Sequence, residues 1–200
     1  MGKKIQKKGN WKRLLAMLLI AISIATIINP VDAQANAKSK VKTKTITLKP
    51  LTERESYSYV KKKATTIKTG YKYNIKLKQY MALTYGGYVK FKAPKTKTYS
   101  FTISNIKQPV KKGDPLGRAS FKKAKNYSFY PLKVKTRNKT TDCLNVSKTK
   151  YRPPYGNDAS VYYPSRTGKV KLKKNQTIYI YFWFDTMTYS KSMSFNFAVK

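Results

Sequence analysis

The chain has 200 residues, of which 44 are Lys or Arg and only seven are Asp or Glu, for a formal charge of +37. It has no histidine, the commonest general base and metal ligand, and a single cysteine, Cys143, which excludes an intramolecular disulfide. A small domain needs a net charge of only about 2 to 8 to stay soluble. The scarcity of acids therefore points to an anionic partner, since a codon bias toward Lys, Asn, Ile and Tyr would have enriched Glu as well.

The first segment sets the compartment. Six basic residues and no acid lie between Met1 and Arg13, followed by an apolar run from Leu14 to Ile28, then Asn29-Pro30 and small residues. This order predicts a cleaved secretory signal peptide over residues 1–35. The apolar run is fifteen residues long and contains Ser23 and Thr26, short of the about 20 needed to span a bilayer. No stable membrane anchor is expected after cleavage. Ala33, Ala35 and Ala37 alternate as cleavage points, with Ala35 favoured. Cleavage there leaves 38 basic and six acidic residues, a net +32, so secretion does not account for the charge.

Residues 36–45, NAKSKVKTKT, are polar and basic and read as a flexible leader. From Ile46 the pattern has period two, the signature of strands with one buried face, and residues 46–200 read as one domain. In YKYNIKLKQY the apolar set is Tyr71, Tyr73, Ile75 and Leu77, with Lys72, Asn74, Lys76 and Lys78 between. Val89, Phe91 and Ala93 repeat the scheme against Lys90 and Lys92. Ala93-Pro94-Lys95-Thr96 interrupts it, and Tyr99, Phe101 and Ile103 resume it, which predicts a hairpin.

The stretch 105–166 holds six of the nine prolines and reads as a loop-rich insertion with one or two strands, near Phe129 to Val134 and Ala159 to Tyr163. Order returns with Val170 and Leu172, a turn at Lys174-Asn175-Gln176, and a long strand from Thr177. Met193, Phe195, Phe197 and Val199 form one face of the last strand. No amphipathic helix is evident after the signal peptide. Short alternating strands joined by turns predict an all-β fold, an antiparallel β-sandwich of jelly-roll-like type.

Three segments carry a resemblance. YVKFKAPKTKTYSFTIS resembles the aromatic-x-Lys-Phe-x-Ala-Pro-Lys-Thr-Gly-Thr-Tyr-x-Phe hairpin of bacterial pre-peptidase C-terminal-like (PPC-like) β-sandwich domains. VKLKKNQTIYIYFWF is similar to their Leu-Lys-Lys-Gly-Gln-Thr-Tyr-Tyr-Ile strand, and SMSFNFAVK to their final strand. The likeness covers about residues 65–104 and 168–200 and implies a secreted, non-catalytic accessory sandwich. Lys97 and Asn175 stand where that family has Gly; Asn tolerates a left-handed turn, whereas Lys97 implies a different one.

Chemistry is sparsely represented. The six carboxylates after the signal, at Glu53, Glu55, Asp114, Asp142, Asp158 and Asp185, are scattered, and no nucleophile elbow, phosphate loop or paired-cysteine motif occurs. No enzyme activity, cofactor or metal site is expected. Binding has two candidate surfaces. Lys76, Lys78, Lys90, Lys92, Lys171 and Lys173 supply a cationic set, and because Lys lacks the bidentate fork of Arg, it predicts salt-sensitive, weakly selective attraction to an anionic polymer. The expected partners are envelope or matrix glycopolymers outside the cell; nucleic acid would be held non-specifically. In TIYIYFWFDT both faces are apolar. Ile178, Ile180 and Phe182 are assigned to the core, which turns Tyr179, Tyr181 and Trp183 outward. They would form either a platform for stacking carbohydrate rings or a surface covered by the 105–166 insertion.

Overall fold

A computed structural model describes residues 41–108, 115–154, 161–186 and 192–200. The expected signal peptide, its expected cleavage points at Ala33, Ala35 and Ala37, and the start of the strand expected from Ala159 lie outside the described residues. Among those described, the strands are β1 (Lys42–Thr47), β2 (Thr65–Ile67), β3 (Tyr71–Met81), β4 (Thr84–Lys92), β5 (Lys97–Lys107), β6 (Leu116–Lys125) and β7 (Ser128–Pro131). They continue with β8 (Val134–Lys135), β9 (Thr140–Thr141), β10 (Cys143–Val146), β11 (Ser165–Leu172), β12 (Thr177–Asp185) and β13 (Ser192–Val199), and one helix, α1, spans Tyr57–Lys63.

The fold is an all-β antiparallel sandwich, made by a long sheet that curls back on itself. One layer has the order β3-β13-β5-β11-β8-β9 and the other β10-β6-β12-β4, with β3 as the corner. The first part of β3 pairs with β13, and its end, Gln79 to Met81, pairs with β4. β1 adds to β3 and β2 to β4, both in parallel.

Period-two patterning explains which residues meet between the layers. Tyr73, Ile75 and Leu77 of β3, Val89 and Phe91 of β4, and Phe195 and Phe197 of β13 are all buried. Across the core, Phe182 lies 4.8 Å from Phe195 and 5.0 Å from Phe197, and Phe91 lies 5.6 Å from Phe101, in tilted or edge-on arrangements favoured by the ring quadrupoles.

Four expectations are corrected. The segment 87–104 is not a hairpin: β4 pairs with β12 and β5 with β11 and β13, so its two arms belong to opposite layers. Alternation fixes which side chains face the core, and it is the same whether a turn joins neighbours in one sheet or arches across two. The turn between β11 and β12 is a second such arch, with Asn175 at φ 66°, and the two are tied side by side. Asn175 N–H donates to the Ala93 carbonyl, and Ala93 N–H donates to that of Gln176.

Lys42 to Thr45, expected in the flexible leader, belong to strand β1, which runs along an edge where its side chains are almost all exposed and leave no apolar alternation. Among its described residues the 105–166 stretch holds more strand than expected: β5 runs through a bulge at Asn105 (φ 53°), and β6 is a ten-residue strand beside β12. Its sequence LGRASFKKAK hides the alternation behind small inward residues, Gly117 and Ala119, both buried.

Finally, α1 is a helix the sequence reading missed. It is seven residues long and buries only Val60, too little to give a periodic signal, although Ser56 accepts from the Tyr59 N–H as its N-cap and Lys61 to Lys63 occupy its last turn.

Candidate functional site: a lysine face and a cationic cleft

The two outer faces of the sandwich differ. On the β4–β12–β6 layer, the stripe Tyr179, Tyr181 and Trp183 does point away from the core, but Tyr179 and Tyr181 are 3% and 0% exposed. Leu51, Val60 and Ala64 of the loop and helix, with Tyr57 and Phe129, pack over them. The expected stacking platform is therefore not available at these two tyrosines. The cover comes mainly from residues 51–64 rather than from 105–166, which contributes Phe129 of β7.

Gly86 lets the cover approach. A Cβ there would lie 2.6 Å from both the Leu51 carbonyl oxygen and the Tyr181 hydroxyl. Burial pushes the hydroxyls of Tyr88, Tyr179 and Tyr181 well above the usual tyrosine range.

One carboxylate organises the cations under this cover. Glu53 Oε2 accepts from Arg118 at 2.9 Å, and Glu53 Oε1 lies 3.3 Å from Lys122 Nζ. Arg118 also stacks 5.0 Å from the Trp183 ring, and Lys122 sits 5.7 Å from the Tyr88, Phe129 and Tyr181 rings. Lys90 Nζ donates to the Lys61 carbonyl at the end of α1. These groups are engaged in holding the fold.

The other layer presents the lysine face. Lys72, Lys76 and Lys78 of β3 project outward and are exposed, as are Lys169 and Lys171 of β11 and Lys135 of β8, which stands opposite Lys169. Between these rows, β13 and β5 contribute a floor of half-buried small polar residues that includes Ser194, Thr102 and Ser104, with Asn196 buried among them. Three strand spacings separate β3 from β11, so the rows are about 14 Å apart. Of the six lysines singled out from sequence, Lys76, Lys78, Lys171 and Lys173 belong to this layer or its rim. Lys90 and Lys92 lie on β4 in the opposite layer, so the set is not one site.

Sequence reasoning missed the concave part of this surface. A cavity of about 1000 Å³ opens between β11 and the β8–β9 turn, and among the described residues its lining includes Lys135, Arg137, Lys139, Arg166 and Lys169 and no acid. Its walls are pre-set. The Thr136 hydroxyl donates to the Lys139 carbonyl at 2.7 Å and accepts from the Lys139 N–H. Arg166 donates to the Val161 carbonyl at 3.3 Å and lies 5.0 Å from the Tyr163 ring. The sequence signal was KTRNK beside a second Arg at 166, but only the pairing of β8 with β11 brings these together.

Cys143 is half-buried, and burial raises its thiol pKa more than the nearby Arg118 and Arg166 lower it. Among the described residues, no group of three or more His, Cys, Asp or Glu side chains is placed to hold a metal ion. No protein-family model matches the chain, and no curated protein matches it.

Proposed function

We propose that this chain is a secreted, non-catalytic β-sandwich protein that associates with an anionic glycopolymer at the bacterial cell envelope or in the surrounding matrix. The observation that carries this is the lysine face. It is a pleated, hydroxyl-floored surface with cations along both sides, on a protein with only seven acids against 44 basic residues. A flexible ammonium on a four-carbon stem follows a repeating anion without demanding one geometry, and a field of this sign speeds encounter with a polyanion. The likeness of residues 65–104 and 168–200 to PPC-like accessory modules fits the same reading.

The test is retention of the mature chain on a sulfated-polymer column. Affinity is expected to fall about tenfold or more between roughly 0.05 and 0.2 M salt. Replacing Lys72, Lys76 and Lys78 with Gln is expected to reduce retention more than replacing the same number on the covered layer, Lys92, Lys123 and Lys125. Equal losses would assign the effect to net charge alone, and retention that persists in high salt would overturn the electrostatic reading.

A further inference from the structure

We propose that the cleft between β11 and the β8–β9 turn is a recognition site for an ester-linked tetrahedral oxyanion, a phosphate or sulfate carried on a sugar or polyol chain. The inference rests on the polyanion reading above and adds a discrete subsite to it.

Three features support it. First, the cleft differs from the rest of the lysine face in its donors. Only six of the 44 basic residues are Arg, yet Arg137 and Arg166 both line this one cavity. A guanidinium presents a planar fork that bonds two oxygens of one phosphate or sulfate, a geometry an ammonium does not impose. The comparison within the molecule is Arg118, whose fork already meets the Glu53 carboxylate.

Second, the cleft is concave and partly pre-ordered. The Thr136 bonds close the turn that carries Arg137 at its tip, and Arg166 is held by the Val161 carbonyl and the Tyr163 ring. Less side-chain freedom is then lost on binding. Third, the remaining lining is hydroxyl and amide, with Asn138, Ser165 and Thr167. The Thr167 hydroxyl lies 2.8 Å from that of Thr102 on the lysine-face floor, which links the cleft to the path a chain would follow across the strands. Oxygen-rich walls suit a polyol backbone, and two forks suit its ester oxyanions.

The experiment uses the mature chain and titrates polyglycerol phosphate, dextran sulfate and polygalacturonate, with glycerol 1-phosphate and glucose 6-sulfate as small probes. The variants are Arg137→Gln with Lys169→Gln, both exposed, and the equal-charge control Lys76→Gln with Lys78→Gln. The cleft pair is expected to weaken the phosphate or sulfate polymer about tenfold and the control about two- to threefold; a guanidinium fork also bonds carboxylates, so an equal cleft-dependent loss on polygalacturonate would overturn the assignment to an ester oxyanion. Arg137→Lys, which keeps the charge and removes the fork, is expected to lose part of the same preference.

Whichever polymer shows the larger cleft-dependent loss identifies the source of the oxyanion. If both pairs weaken every polymer equally, the cleft proposal is overturned while the lysine-face reading stands. If the unaltered protein binds no polymer, that reading fails and the small probes decide the cleft. Binding lost in Arg137→Gln upholds it, and no binding overturns it.

Discussion

The two outer faces of this sandwich begin from the same kind of strand and end differently. β12 and β3 both alternate a core-facing apolar set with an outward set, but the outward set is Tyr179, Tyr181 and Trp183 in one and Lys72, Asn74, Lys76 and Lys78 in the other. Aromatic side chains bury large areas and reward a cover; lysines keep their charge in water. Residues 51–64 and β7 accordingly close over the first face and leave the lysines of the second exposed. Glu53 sits under the cover, where it pairs with two cations, and among the described residues no acid lines the cleft on the lysine face.

The largest test of this contrast is alkaline pH. Tyr88, Tyr179 and Tyr181 ionise above the normal range when folded because they are buried, whereas in the unfolded chain they ionise near about 10. Their contribution is therefore fully present below about pH 10 and is lost as pH rises from there toward the folded values. The protein is expected to unfold cooperatively in that window, followed by circular dichroism. Lysines deprotonate over the same range and relieve repulsion, so the sharper measurement is Tyr181→Phe, which should move the midpoint to higher pH. No movement would mean that the cover opens before the tyrosines ionise.

Gly86→Ala probes the cover directly. Its Cβ meets backbone at the Leu51 carbonyl as well as the Tyr181 hydroxyl, and overpacking of this kind costs about 1 to 3 kcal/mol. Urea denaturation should show that loss, with a change in Trp183 fluorescence as the cover shifts. Glu53→Gln comes next: it leaves Arg118 and Lys122 without their carboxylate, and since Glu53 and Arg118 are 35% and 43% exposed, the cost is about 1 kcal/mol after solvent screening. Unchanged stability would mean the ring contacts of Arg118 and Lys122 suffice alone.

The core was legible in the sequence because alternation is a local signal: Tyr73, Ile75, Leu77, Phe101 and Phe197 could be assigned inward without knowing their partners. What was not legible depended on pairing. KAPKT gives no local sign that it arches between layers, since proline breaks a ladder in either case. Short, low-burial elements were also missed. α1 buries one side chain, and β6 places Gly117 and Ala119 where a larger apolar pattern would have announced a strand. The cleft was invisible for the same reason: Arg137 and Arg166 are 29 positions apart and meet only through the β8–β11 contact.

The smallest expected effect is on the lysine face. A single Lys76→Gln should change stability by no more than about 0.5 kcal/mol, as for an exposed side chain with no fixed partner. Replacing Lys72, Lys76 and Lys78 together should stabilise the protein slightly at low ionic strength, because it reduces self-repulsion in a chain of net positive charge. The gain should disappear near about 1 M salt, where the screening length falls to about 3 Å. Parallel urea titrations at low and high salt measure it. If the triple variant is instead destabilised at both, the lysine stems support the sheet by packing, and the division between a face that holds the fold and a face free to bind would not stand.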